Sequence, residues 1–200
     1  MPIARPAPNP TRGPDWWRLL EQAHAQGGYF TAKDAQMCRI SSPLLRQNVQ
    51  SGAVEWIQRG IYRLTTFPPH TQSDLLVLWL WSDRQGVFSH ETALSLNELS
   101  DVLPNVVVMT VPPSWAKRRV KLPDGVELHP AVLPESDVMW VDAVPVTHPL
   151  RTVIDCERVG VSPEFVHVAV NQGIARGWFS RAQYQKRRRR ELAPAPGHTR

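Results

Sequence analysis

Apolar positions along this chain change their period as the sequence proceeds. Trp16, Leu19, Leu20 and Ala23 of "WWRLLEQAHAQ" recur every three or four residues, and Leu44, Leu45 and Val49 of "SSPLLRQNVQ" fall on one side in the same way. That spacing predicts two amphipathic helices. Asp15 stands as N-cap of the first, and Gly27-Gly28 stops it. A shorter helix lies between them in "TAKDAQMC", where Thr31 as N-cap and Asp34 at the third helical position make a short-armed capping box. Ser41 or Ser42 caps the third helix, whose first turn tolerates Pro43 because that N–H has no helical partner. Past Gly52 the pattern turns β-rich. "AVEWI" and "IYRL" are joined by Gln58-Arg59-Gly60, a hairpin whose glycine can supply a positive φ. Three helices and a hairpin predict a winged helix over residues 14–67.

Beyond Pro68-Pro69 helical and strand patterns alternate. Helices are expected at 73–83, 91–99, 149–159 and 163–176, and strands at 86–89, 105–111, 126–133 and 143–146. The expected fold class is therefore α+β: an N-terminal winged helix-turn-helix followed by a mixed α/β domain over residues 70–180. Residues 1–13 are a Pro-rich polar arm, and 181–200 form a basic tail that prolongs a helix before fraying. A chain of 200 residues can bury two small cores of this kind. Strand order is not readable. Trp16, Trp56, Trp79 and Trp81 fall on apolar faces and are expected in the core.

The formal charge of +5 is unevenly spread. Residues 1–67 hold eight Lys/Arg against four Asp/Glu (net +4), 68–180 eight against thirteen (net −5), and 181–200 seven against one (net +6). Basic ends flank an acidic middle, so a polyanion should meet the ends. The third helix turns Pro43, Arg46, Gln47 and Gln50 outward. Arg46 matches guanine, and Gln47 and Gln50 match adenine, in bidentate major-groove readout. Ser42 stands beside them at the helix start. Lys33, Arg39, Arg59 and Arg63 are placed to hold phosphates, with Arg59 at the hairpin tip. A protein-binding module of the same shape, with a merely solvated Gln-rich face, remains the alternative. Two further basic patches, Lys117, Arg118, Arg119 and Lys121 between strands, and Lys186, Arg187, Arg188, Arg189 and Arg190 in the tail, are open to two readings, solvated surface or loose nucleic-acid anchor.

Catalysis finds little support. Ser89, His90 and Glu91 are adjacent, whereas a triad is assembled from distant positions; Ser89 as helix N-cap with Glu91 at the positive helix end accounts for the same letters. "THPLRTVIDCE" reads likewise: Thr147 or His148 caps, Pro149 begins the helix, and Arg151 pairs with Asp155 at i, i+4. "DGVELH" carries Asp124 and Glu127 but lacks the following lysine of a nuclease. The seven histidines never share a helix face with another His or Cys at ligand spacing, which predicts no metal, and no phosphate-cradling glycine loop or dinucleotide fingerprint predicts a cofactor. Only Cys38 and Cys156 occur, which fits a reducing cytosol. The longest apolar run, "LLVLWLW" at 75–81, falls far short of the roughly 20 residues of a membrane span, and the N-terminus lacks an apolar signal core. A cytoplasmic, non-membrane protein is expected.

"RGIYRL", "FSHETALSLNELSDVLP", "VVVMTVP", "GVELHPAVL" and "VPVTHPLRTVIDCERVG" follow one another in an order that resembles the AbiEi family of antitoxins over about residues 14–180. The resemblance implies a winged helix that represses its own operon at inverted repeats on double-stranded DNA, two copies per operator, and an α/β domain that neutralises a toxin of nucleotidyltransferase fold. It implies no enzymatic activity. A winged-helix regulator without a toxin, with or without a ligand pocket in its second domain, is the competing expectation. The Arg-rich tail lies outside the resemblance.

Overall fold

Each of the first three helices starts at the side chain expected of it. Asp15 accepts from the Arg18 N–H at 3.0 Å and opens α1 (Trp16–His24). Thr31 accepts from Asp34 N at 3.1 Å while Asp34 accepts from Thr31 N at 2.7 Å, the reciprocal capping box of α2 (Ala32–Met37). Ser41 accepts from Leu44 N at 3.4 Å at the start of α3 (Ser42–Gln50). The computed structural model describes residues 13–192, so most of the expected arm and the end of the tail lie outside the described residues.

The chain divides into two compact units, Met1–Trp81 and Ser82–Arg200. In the first, β1 (Tyr29–Thr31), β2 (Val54–Gln58) and β3 (Ile61–Leu64) form an antiparallel sheet ordered β1-β3-β2. Gly60 turns the expected hairpin at φ +78. Leu19, Phe30, Ile40, Leu45 and Val54 are buried together between helices and sheet. Gly28 holds φ +93, and a Cβ there would come within 2.6 Å of the Phe67 Cβ, so the turn after α1 admits no larger residue without a shift.

The unit boundary differs from the expected one. The helix after the Pro68-Pro69 break, α4 (Ser73–Trp81), buries Leu76, Trp79 and Leu80 and packs on β1 and β3, so it closes the first unit and does not open the second. Proline interrupts the backbone there, but the apolar faces of α4 find their partner upstream.

The second unit is built on a mixed five-stranded sheet ordered β6-β5-β4-β8-β7. Its strands are β4 (Val87–Phe88), β5 (Val107–Val111), β6 (Val126–Pro130), β7 (Val138–Val141) and β8 (Val144–Thr147). β5 runs parallel to β6 and β4 parallel to β8, while β4/β5 and β7/β8 are antiparallel. α5 (His90–Leu96) packs on β5 and β8 and against α6 (Pro149–Val159), and α6 in turn carries α7 (Pro163–Ala175) and α8 (Arg181–Leu192). Leu94, Leu99, Val153, Ile154, Ala169 and Phe179 share this core. With helices and two sheets the protein is α+β. α8 is a separate helix after a break at Gly177, where φ is +74, and not a prolongation of α7.

Candidate functional site

The face of α3 follows from its period. Leu45 is buried beneath it, while Ser42, Arg46, Gln47 and Gln50 are exposed, and among the described residues Arg46, Gln47 and Gln50 have no side-chain hydrogen bond or ion pair. Asn48, between them, is half-buried and its Nδ2 donates back to the Leu44 carbonyl at 2.9 Å. Arg59 is exposed at the hairpin turn, and Lys33 is exposed on α2. Arg39 follows α2 with a left-handed backbone (φ +60), and its half-exposed guanidinium lies 3.8 Å from Asp15.

Arg63 must be corrected. Its side chain is 13% exposed, and its Nε and Nη2 donate to Glu55 at 2.9 and 2.5 Å while Nη1 donates to the Phe67 carbonyl at 2.5 Å. It staples β3 to β2 and to the chain beyond, so no phosphate is needed to satisfy it. Trp56 is also misplaced by its alternation: Val54 on the same strand is buried, but the indole is 58% exposed at the rim of a cleft of about 270 Å³ shared with Gln36, Arg46, Val49 and Tyr62. A bulge between Trp56 and Gln58 interrupts the register with β3 at that point.

The two basic patches separate. Lys117, Arg118, Arg119 and Lys121 are exposed at and after a 3₁₀ turn (Pro113–Lys117), with Arg118 stacked 4.6 Å over the Trp115 ring. In α8, Arg187 donates to both oxygens of Asp137 at 2.7 and 2.5 Å and to Glu191 at 2.8 Å. Arg188 donates to Glu157 at 2.6 Å and Arg190 to Glu191 at 2.9 Å. Lys186 and Arg189 alone of the run have no ion pair among the described residues. The expected fraying tail is, over 181–192, a clamped helix. Asp137 also accepts from Arg151 at 3.3 Å, and Arg151 holds the expected partner Asp155 at 2.6 Å. Burial would raise Asp137, but the hydrogen bonds and charges of Arg187 and Arg151 outweigh it and hold this carboxyl below its ordinary value.

"SHETAL" departs from its expected structural role. Ser89 precedes α5 in extended conformation, but its side chain makes no capping bond. Its buried hydroxyl lies 2.9 Å from His90 Nδ1 instead. His90 takes a left-handed backbone (φ +53), and its ring lies 4.2 Å from that of His129, which meets Glu127 Oε1 at 2.8 Å. These four residues and Glu91 are therefore neighbours, and all but Ser89 line a cleft of about 390 Å³. Burial first, and then the neighbouring His129, push the His90 imidazole down to about 4, so it is neutral at physiological pH. No helix-face spacing could show this pair, because His90 opens α5 just after β4 while His129 lies on β6; the one sequence clue is that His129 and Glu127 alternate onto the same face of "VELHP". His148, by contrast, caps α6 as expected, accepting from Leu150 N at 3.3 Å. Among the described residues no set of three His, Cys, Asp or Glu is disposed to hold a metal ion, and no helix is long and apolar enough to cross a membrane.

Neither a family model nor a curated protein matches the chain. Among solved structures, the crystal structure of the RV2827C protein from Mycobacterium tuberculosis is similar, with 14% identity and a TM-score of 0.45 over 96% of this chain and 87% of that one. A likeness this remote says nothing of function.

Proposed function

We propose that this protein is a cytoplasmic DNA-binding repressor and antitoxin, in which the first unit works as a winged helix and the second meets a protein toxin. The observation that carries the DNA-binding half is the outer face of α3. Arg46, Gln47 and Gln50 stand exposed with no side-chain partner among the described residues, and exposed Arg59 follows on the hairpin. A helix with such a face fits the major groove, where Arg and Gln form bidentate bonds to base edges, while a hairpin arginine can hold the flanking backbone. With Arg63 committed to Glu55, the backbone contacts of this reading are Lys33, Arg39 and Arg59. The toxin half rests on the ordered motifs that resemble the AbiEi family. In this reading the chain catalyses nothing and needs no cofactor.

Full-length protein titrated onto the DNA upstream of its own gene tests the first half. Arg46→Ala should weaken that complex by roughly 1–3 kcal/mol and binding to random duplex far less. An equal loss on both sequences would make Arg46 a phosphate contact and remove α3 as the reading element. Co-expression with the adjacent gene, scored for growth and co-purification, tests the second half.

A further inference from the structure

The cleft between α5, β6 and the start of α7 has the chemistry of a receptor for one cationic group. Glu91 is half-buried on its wall and has no hydrogen bond or ion pair among the described residues. Glu127 lines the same cleft and meets His129 Nε2 at 2.8 Å. His90 is 6% exposed, its Nδ1 is held by Ser89, and its Nε2 has no hydrogen-bond partner although the residue lines the cleft. The Nε2 is not sealed in the core but opens on the cleft, where an entering donor replaces water on it. The backbone of His90 is held at φ +53, a conformation uncommon for a non-glycine residue. No lysine or arginine lines the cleft. The nearby Arg151 and Arg158 are spent on Asp155, at 2.6 and 2.7 Å.

We propose that this cleft receives the guanidinium of an arginine side chain carried by the protein's partner. The neutral His90 imidazole and the His129 ring, tilted 34° against it at 4.2 Å, offer a flat guanidinium an aromatic wall, and the carboxylates of Glu91 and Glu127 line the same cleft to meet its N–H fork. An ammonium has neither the plane nor the fork. A donor in the cleft selects the His90 tautomer with its proton on Nδ1, donated to Ser89, and its lone pair on Nε2. Among the described residues no three His, Cys, Asp or Glu are disposed to hold a bare divalent ion. The source of the arginine, a protein partner, rests on the antitoxin reading above; the chemistry of the cleft does not.

The test therefore has two arms. In the first, full-length protein labelled at histidine is titrated with arginine amide and, separately, lysine amide, and the ring signals of His90 and His129 are followed by NMR. Arginine amide should shift both signals, and lysine amide should bind more weakly. The Glu91→Gln/Glu127→Gln variant should bind arginine amide about tenfold more weakly. His90→Asn, which keeps a residue that tolerates positive φ, should also lose affinity. Unshifted rings, or equal binding of the two amides, overturns the proposal. In the second arm the Glu91→Gln/Glu127→Gln variant is co-expressed with the adjacent gene. It should lose co-purification and growth rescue while its DNA affinity stays at the wild-type level. If it rescues as well as wild type, the partner's arginine is not the occupant. If the wild-type protein rescues nothing, the antitoxin reading fails on its own, and the titration still decides whether the cleft takes a guanidinium.

Discussion

Asp137→Asn should destabilise the second unit by about 3 kcal/mol. The carboxylate is 5% exposed as a residue and sits between two arginines, accepting from Arg187 at 2.7 and 2.5 Å and from Arg151 at 3.3 Å. Their side chains are themselves only 15% and 9% exposed, so water cannot replace the lost charge. Removing one partner of a buried pair typically costs about 3–5 kcal/mol, because the other charge is left uncompensated. The low end applies, since Arg187 keeps Glu191 at 2.8 Å and Arg151 keeps Asp155 at 2.6 Å. Against a stability of about 5–15 kcal/mol that is a large fraction. Urea titration of the full chain, followed by far-UV circular dichroism, measures it as a shift of midpoint at unchanged slope. Arg190→Ala is the control: its side chain is 73% exposed, and it should cost under about 1 kcal/mol. A double-mutant cycle of Asp137→Asn with Arg187→Met should return a coupling well above about 0.5 kcal/mol. If Asp137→Asn costs no more than Arg190→Ala, the clamp on α8 is decorative and the account is wrong. The acid limb supplies a second reading. Arg187 and Arg151 hold Asp137 below its ordinary value, so the stabilisation is complete above the ordinary carboxylate range and is lost as pH falls through the depressed folded value. The variant should lose that share of the acid dependence.

Three other outcomes follow from the same geometry. The unfolded chain protonates His90 near 6.5 and the folded chain near 4, so stability should fall as pH drops between those values, by up to about 3 kcal/mol. His90→Asn should flatten that slope in part, leaving the contribution of His148, which is lowered by burial in the same sense. Arg63→Ala should lower the thermal midpoint of the first unit, whereas Arg59→Ala should leave it unchanged and weaken DNA binding; the reverse pattern would exchange their roles. Replacing Lys186 and Arg189 by Gln should reduce the slope of log affinity against log salt by at most about 2 on duplex DNA, at a constant preference for cognate sequence, since each phosphate neutralised contributes about 0.9.

Local chemistry was legible where punctuation is strong. α6 occupies 149–159 as expected because Pro149 sits in its first turn and Gly160 closes it at φ +77. The hairpin at Gly60 and the caps at Asp15, Thr31 and Ser41 were readable for the same reason. β7 was not, since Trp140 points out at 55% exposure and this edge strand pairs only with β8. Nor was the allegiance of α4, which is apolar nearly all round and carries no mark of which sheet it will cover. Trp56 shows the limit of alternation: the period puts it on the face of Val54, but the core ends before it and the indole stands over an open cleft.

Charge counting fails for a related reason. A run such as "KRRRR" reads as surface because its partners are out of sight, 50 residues away for Arg187 with Asp137 and 31 for Arg188 with Glu157. Once those pairs form, the tail no longer presents a block of like charge. It presents Lys186 and Arg189, and Arg190 beside Glu191. The acidic middle is thinned in the same way, because Asp137, Asp155 and Glu157 are paired with arginines of α6 and α8. What survives is more discriminating than the totals of +4, −5 and +6 suggested. Arg46 and Arg59 remain available to a polyanion in the first unit, and Glu91 remains available to a cation in the second. The proposed polyanion and the proposed cationic group thereby fall on two different units. The segmental charges alone would have divided the polyanion between the two ends of the chain.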